Sequence, residues 1–203
     1  MEELFNRASA AGEEPVAVEV PANKNVLVVV DMQNDFITGS LGTKEAQGIV
    51  ASVVKRILDF DGLILYTLDT HTEKYLETQE GKKLPVEHCI AGTDGWAPNA
   101  AVWMALMQKN VADERHMIAK DTFGGVSLPI RIHELLGGAD PESITLVGLC
   151  TDICVISNAL LLKAFYPEAA ISVDAAASAG ATPEGHKNAL TAMKTCQIDI
   201  ENE

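Results

Sequence analysis

"ITLVGLCTDICVISNALLLKAF", residues 144–165, sets two apolar periods end to end. Ile144 to Leu149 form a short, nearly continuous apolar run, the pattern of a strand buried on both faces. From Thr151 to Phe165 the apolar residues recur at helical spacing, so a helix is expected directly after the strand. A strand that runs straight into a helix is the unit from which parallel sheets are wound.

The alternation continues on both sides of this stretch. Strand-like runs occur at "NVLVVVD" (25–31), "GLILYTLD" (62–69), "HMIAK" (116–120) and "AAISVD" (169–174). Helix-period segments lie between them at 43–60, about 97–108, 128–136 and 183–196, the last with Pro183 suited to its first turn. The order predicts an α/β fold, a three-layer α/β/α sandwich with a mostly parallel, doubly wound sheet. Residues 24–203 read as one domain and residues 1–23 as an N-terminal extension, without internal repeats or a Pro/Gly/Ser-rich linker.

Composition narrows the class. The chain has 203 residues, 47% of them hydrophobic, and none of its apolar runs approaches the roughly 18 residues that span a bilayer. "MEELFNRASAAGEEP" at the start lacks the basic region and apolar core of a signal peptide, so a cytoplasmic location is expected. A formal charge of −14 argues against nucleic-acid binding, which needs Lys and Arg to displace counterions from phosphates. The expected partner is a small molecule, with neither nucleic acid nor membrane involved.

Ligands of open parallel sheets bind beyond the carboxyl ends of the strands. Those ends carry Asp31, Asp69, Lys120 and the segment from Cys150 to Cys154. Singly, each has an ordinary explanation, a loop cap or a solvated charge; together they read as one crevice. Four cysteines do not make a disulfide framework in a chain of this size and kind, and a zinc knuckle would need a second close pair. Cys89 and Cys196 read as small buried hydrophobes. With Thr151 or Asp152 as N-cap, Cys154 falls in the first helical turn, where free N–H groups and the helix dipole favour a thiolate. Cys154 is therefore the better nucleophile candidate, with Cys150 on the turn before it.

A second constellation is "LDTHTEKYLETQEGKKLPVEHCIAGTDGW" (68–96). Asp69 and His71, two apart, share one side of an extended segment, and His88 follows after several glutamates. Such a set suits a divalent metal, zinc or else iron or manganese. The alternative is a polar surface loop whose histidines bind nothing.

"VVVDMQNDF" (28–36), "DTH" (69–71), "HCIAGTDGW" (88–96), "IAKDTF" (118–123) and "VGLCTDICV" (147–155) together resemble the isochorismatase-like cysteine hydrolases, and among them the nicotinamidases (pyrazinamidases), over about residues 24–200. The resemblance implies a catalytic triad of Asp31, Lys120 and Cys154. It also implies an oxyanion hole from the backbone N–H groups of Cys150 and Cys154, and a non-proline cis peptide between Cys150 and Thr151. Asp69, His71 and His88 match metal ligands, with Glu80 as the fourth and Glu77 as its substitute; no organic cofactor is implied. Phe36 and Phe123 match aromatic pocket positions, and Leu84 stands where an aromatic residue is usual. "LPVEH" is one residue longer than the pattern, and "DTFGGVSLP" departs from it after Lys120. The activity implied is metal-dependent hydrolysis of nicotinamide to nicotinate and ammonia through a thioester, in NAD salvage, by a homo-oligomer. The alternatives are another hydrolase of the superfamily, acting on N-carbamoyl, ureido or isochorismate-type substrates, and a non-catalytic binding domain on the same fold.

Overall fold

Valine, isoleucine and leucine crowd the central strands because such side chains fill a pleated surface covered on both faces. The computed structural model describes residues 23–203 and contains β1 (Asn25–Val30), β2 (Leu63–Asp69), β3 (Met117–Lys120), β4 (Ser143–Leu149), β5 (Ala170–Ala179) and β6 (Asp199–Glu201). All but Asn23 of the expected N-terminal extension lies outside the described residues. The strands form one sheet in the order β3-β2-β1-β4-β5-β6, every pair parallel. The winding reverses between β1 and β4, so the crevice for a ligand opens where these two strands end, at Asp31 and Cys150.

Residue alternation along β1 divides the core. Val26, Val28 and Val30 face one layer, made by α5 (Leu128–Leu135), α6 (Ile156–Phe165) and α7 (Pro183–Thr195). Leu27 and Val29 face the other, made by α2 (Lys44–Asp59) and α4 (Ala100–Gln108). Two short helices, α1 (Asn34–Ile37) and α3 (Gln79–Lys83), belong to the loops above the strand ends. β1 and β4 approach closely at Gly148, whose φ is +116°. A Cβ there would stand 2.1 Å from the Val30 carbonyl oxygen, so only glycine fits.

Threonine and asparagine caps fix several helix starts. The side chains of Thr43, Thr78, Asn99 and Thr182 accept N–H groups at the heads of α2, α3, α4 and α7, and Pro183 occupies the first turn of α7. The expected helix at 151–165 differs in its beginning. Thr151–Val155 forms a π-turn, and the α-helix proper starts only at Ile156. Cys150, rather than Thr151 or Asp152, holds the N-cap position, because both polar side chains are engaged elsewhere. Thr151 Oγ1 pairs with His186 Nδ1 at 2.8 Å, and Asp152 Oδ1 accepts the Ala181 N–H at 2.9 Å.

Three further readings change. The cis peptide joins Leu149 to Cys150, one bond earlier than expected; the next bond is already part of the turn, with the Cys150 carbonyl accepting from the N–H groups of Ile153 and Val155. Cys196 is exposed because it caps the C-terminus of α7, whereas Cys89 is buried as expected. β5 runs on through an alanine-rich second half that lacks the branched side chains marking a strand in sequence, and β6, which follows α7, is only three residues long with Ile200 as its one apolar side chain. Among the described residues, no helix is long and apolar enough to cross a membrane.

Candidate active site

Four neighbouring strand ends deliver the first group of side chains. Asp31 follows β1 in a left-handed conformation (φ +46°) and is fully buried. Thr67 on β2 donates from Oγ1 to Asp31 Oδ1 at 2.6 Å. Lys120 ends β3 in register with Asp69 at the end of β2. Its Nζ lies 2.7 Å from Asp31 Oδ2, 3.3 Å from Asp69 Oδ1 and 3.5 Å from Cys154 Sγ. Asp31, Lys120 and Cys154 thus meet as the sequence suggests.

Their charges follow from burial and mutual contact. Burial works against the Lys120 ammonium, but Asp31, Cys154 and Asp69 outweigh it and hold its pKa above the ordinary lysine value. Burial raises the Asp31 carboxyl, with Lys120 opposing and Asp69 adding to the rise. Asp69 loses solvation too, yet the imidazoles of His71 and His88 and the charge of Lys120 keep its carboxyl below the usual range. Burial and the Asp31 charge push the Cys154 thiol well up, against the pull of Lys120. Burial and the Asp31 charge therefore work against the thiolate that the helix start favours. Cys150 is also pushed up, to about 12, by burial and by Asp152. Contact with Lys120, rather than ionisation, distinguishes Cys154 from it.

A second group surrounds Asp69. Its Oδ2 lies 3.0 Å from His71 Nε2 and 3.4 Å from His88 Nε2, and one ligand atom from each residue falls within 4.8 Å of the others. Glu80 brings Oε1 to 3.7 Å from His71 Nε2 and 3.8 Å from His88 Nε2, whereas Glu77 is exposed. His88 Nδ1 lies 2.8 Å from the Val86 carbonyl, a contact that makes Nδ1 the donor and turns the Nε2 lone pair towards the cluster. His71 Nε2 is buried and, although 3.0 Å from Asp69 Oδ2, makes no well-aligned hydrogen bond among the described residues. Two imidazoles and two carboxylates converging on one point, with an orphaned nitrogen among them, suit a tetrahedral divalent cation. The extra residue of "LPVEH" does not keep His88 out of the cluster.

Both groups border one cavity of about 290 Å³. Cys154 and Cys150 lie along it, as do Asp69, Glu80 and His88; Phe36, Leu84 and Phe123 form apolar wall, as expected from sequence. The Phe36 ring centroid stands 5.5 Å from that of His88. Among the described residues, no arginine or lysine lines this cavity.

Sequence reasoning missed the residues that hold these groups in place. Gln33 is buried between β1 and β2: its Nε2 donates to the carbonyls of Asp69 and Trp96, and its Oε1 accepts the Asp69 N–H, each at 2.8 Å. Asp35 Oδ2 accepts the N–H of Cys89, the residue after His88, at 2.8 Å. The buried Tyr75 ring packs against His71 and His88, with centroids 4.6 and 4.8 Å away, and its hydroxyl donates to the Leu84 carbonyl at 3.0 Å. Lost solvation and the charges of Glu80 and Asp69 push that phenol up to about 12, so it remains a donor. Gln33 and Asp35 lie inside "DMQNDF", where the motif was visible but the hydrogen bonds were not; Tyr75 sits in a loop without any period.

The isochorismatase domain pattern matches residues 25–201. The nicotinamidase/pyrazinamidase PncA of Bacillus subtilis superposes with a TM-score of 0.75 at 24% identity, over 88% of this chain and 100% of that one. The pyrazinamidase of Pyrococcus horikoshii, solved in complex with zinc, gives 0.67 at 26% identity over 87% and 98%. N-carbamoylsarcosine amidase from Thermoplasma acidophilum gives 0.65 at 26% identity over 89% and 98%.

Proposed function

The chain belongs to the isochorismatase domain family and is an amide-hydrolysing enzyme, and on that premise we propose that it hydrolyses nicotinamide to nicotinate and ammonia, with Cys154 as nucleophile, in NAD salvage. The observation that carries this reading is the shared cavity: the thiol of Cys154 and the Asp69, His71, His88 and Glu80 cluster meet there, with Lys120 Nζ between Asp69 and Cys154.

Asp31 is the base that takes the Cys154 proton, and burial, by raising its pKa above the ordinary carboxylate value, makes it a stronger base. Lys120 balances the charge on the carboxylate and on the sulfur as the proton moves. The thiolate adds to the amide carbonyl carbon, and the backbone N–H groups of Cys150 and Cys154 receive the negative oxygen. Asp31 returns its proton to the nitrogen, the C–N bond breaks and ammonia leaves, so that a thioester remains on Cys154. Asp31 then deprotonates a water that attacks the thioester; the carboxylic acid departs, and the proton returns to sulfur.

Asp69, His71, His88 and Glu80 would hold a divalent cation, zinc by donor type and by the zinc complex of the Pyrococcus horikoshii enzyme, with iron or manganese also suited to these donors. When bound, it supplies an electron-pair acceptor for a ring nitrogen, which orients the amide towards Cys154. Phe36 and Phe123 supply aromatic wall for the ring, with Leu84 in place of a further aromatic residue. Isochorismate and N-carbamoyl amino acids carry carboxylates, which call for arginine or lysine; the absence of both from the described lining favours a neutral aromatic amide.

Ammonia release from nicotinamide by zinc-loaded protein tests the reading. Release that disappears in Cys154→Ala is the expected result. Loaded, folded protein that releases none would refute nicotinamide as the substrate.

A further inference from the structure

Behind the cavity, one buried side chain is bonded to two of the residues that line it. Asn158, near the start of α6, has no exposed surface. Its Nδ2 donates to the Cys154 carbonyl at 2.8 Å and to the Phe123 carbonyl at 3.3 Å, while its Oδ1 accepts the Gly125 N–H at 2.8 Å. Three of the four hydrogen bonds available to an amide side chain therefore go to the backbone of two segments far apart in sequence. One segment carries the thiol and the other carries the Phe123 ring, and both border the cavity.

The local backbone explains why the clamp is needed. Around Cys154 the helix opens into the π-turn, and side chains reach back to its carbonyls. Ser157 Oγ donates to the Ile153 carbonyl at 2.6 Å, and Asn158 does the same to Cys154 one residue on. The loop bearing Phe123 lies close against α6. A Cβ on Gly124 would stand 3.4 Å from the Ser157 carbonyl oxygen, and one on Gly125 would stand 3.3 Å from Ile118 Cγ2.

Resting on the reading of Cys154 as nucleophile, we propose that Asn158 is a positioning residue that sets the distance between the attacking sulfur and the Phe123 wall by holding both backbones with one amide. Its two arms act on different steps. The bond to Cys154 fixes the sulfur relative to the carbonyl under attack, so its loss lowers kcat. The bonds to Phe123 and Gly125 fix the wall on which the ring rests, so their loss raises KM.

Asn158→Ala and Asn158→Ser in zinc-loaded protein separate the arms. A serine hydroxyl can reach the carbonyl four residues back, as Ser157 does, but is too short to bridge to the Phe123 loop. Asn158→Ala is expected to raise KM and lower kcat by about tenfold or more, since an error of about 1 Å at a reacting centre costs up to about 10²-fold. Asn158→Ser restores kcat and leaves KM high. Alkylation of Cys154 by iodoacetamide, which needs no substrate, departs from the wild-type rate in Asn158→Ala and returns to it in Asn158→Ser. That readout stands even where nicotinamide proves to be the wrong substrate, whereas full activity in Cys154→Ala would remove the premise instead. If both variants lower only the melting temperature, with kcat, KM and alkylation unchanged, Asn158 is structural and the proposal fails. Should Asn158→Ala not fold, Asn158→Ser decides: a raised KM at wild-type kcat supports the clamp, and a wild-type KM overturns it.

Discussion

The half of the cavity that bears the Cys154 thiol and the half that bears the Asp69, His71, His88 and Glu80 cluster are built differently. Asp31 and Lys120 stand at the ends of β1 and β3, on either side of β2 in one parallel sheet, and Cys154 lies just past β4. Strand register positions them, as it pairs Asp69 with Lys120. His88 and Glu80 instead come from the long connection between β2 and β3, where one isolated parallel bridge, His71 to Ile90, pairs the backbone and single side chains supply the rest of the hold: Gln33 on Asp69, Asp35 on Cys89, Tyr75 between the histidines. Asp69 is the residue common to both halves. A site divided in this way permits the chemistry of the sulfur and the filling of the metal cluster to be perturbed separately.

The sharpest break falls on the thiol half. Cys154→Ala is expected to lower kcat/KM by roughly 10⁴- to 10⁶-fold, the scale on which removal of a catalytic nucleophile acts. Its zinc content, measured on the same sample, stays at the wild-type level. Cys150→Ala is expected to keep most of the activity, because the role proposed for this residue lies in its backbone N–H. Equal losses in the two variants would contradict the assignment.

Gln33→Leu attacks the other half by leaving the Asp69 N–H and two buried carbonyls unpaired. Removing partners of metal ligands costs about 10- to 100-fold in metal affinity. Competitive zinc titration should show a loss of that size, with much of kcat recovered at saturating zinc. An unchanged affinity would mean that the β2 end is held without it.

Zinc removal sharpens the same contrast. A ligand present at about 100 times its Kd stabilises the folded state by about 2.7 kcal/mol, so chelation should lower the melting temperature by roughly 5–10 °C. The sheet-held thiol should keep its environment, and the raised Cys154 pKa has a definite sign. Thiolate forms only as pH rises through a value above the ordinary thiol range of about 8.5, so alkylation of metal-free protein should still be accelerating at that pH. A rate that levels off by about pH 7.5 would show a preformed thiolate.

Tyr75→Phe is the mildest test. It keeps the ring against both histidines and removes only the bond to the Leu84 carbonyl, a change of about 1 kcal/mol that should appear as roughly a fivefold rise in KM at unchanged zinc affinity. A fall in zinc affinity would locate the role of the hydroxyl in the metal cluster instead of the pocket wall.

Legibility in the sequence followed the range of the interaction responsible. β1 to β4 and the long helices were visible because burial on one or two faces imprints a local period, as in Val26 to Val30. β6 and the end of β5 were not, since Asp199–Glu201 and the alanines of 175–179 acquire strand structure only from the neighbour beside them. Asp31, Asp69 and Lys120 could be picked out because chain direction in a parallel sheet decides which strand ends meet. The N-cap at Cys150 was missed because Thr151 and Asp152 look like caps until His186 and Ala181 claim their side chains. The ionisation of Cys154 was only partly legible for a related reason: the helix dipole can be inferred locally, whereas the burial and the Asp31 charge that oppose a thiolate come from the tertiary fold. Gln33, Tyr75 and, apart from its bond to Cys154, Asn158 hold the site through bonds to residues 9 to 63 positions away, and no spacing rule announces such bonds.

The most direct test of the central claim, that the sulfur of Cys154 carries the acyl group between the two steps, is acid-quenched mass spectrometry of zinc-loaded protein during turnover of nicotinamide. The account predicts a transient mass increase equal to one nicotinoyl group, mapped to the peptide containing Cys154 and absent from Cys154→Ala. Steady ammonia release with no acyl adduct under rapid quench, or an adduct on another residue, would contradict it.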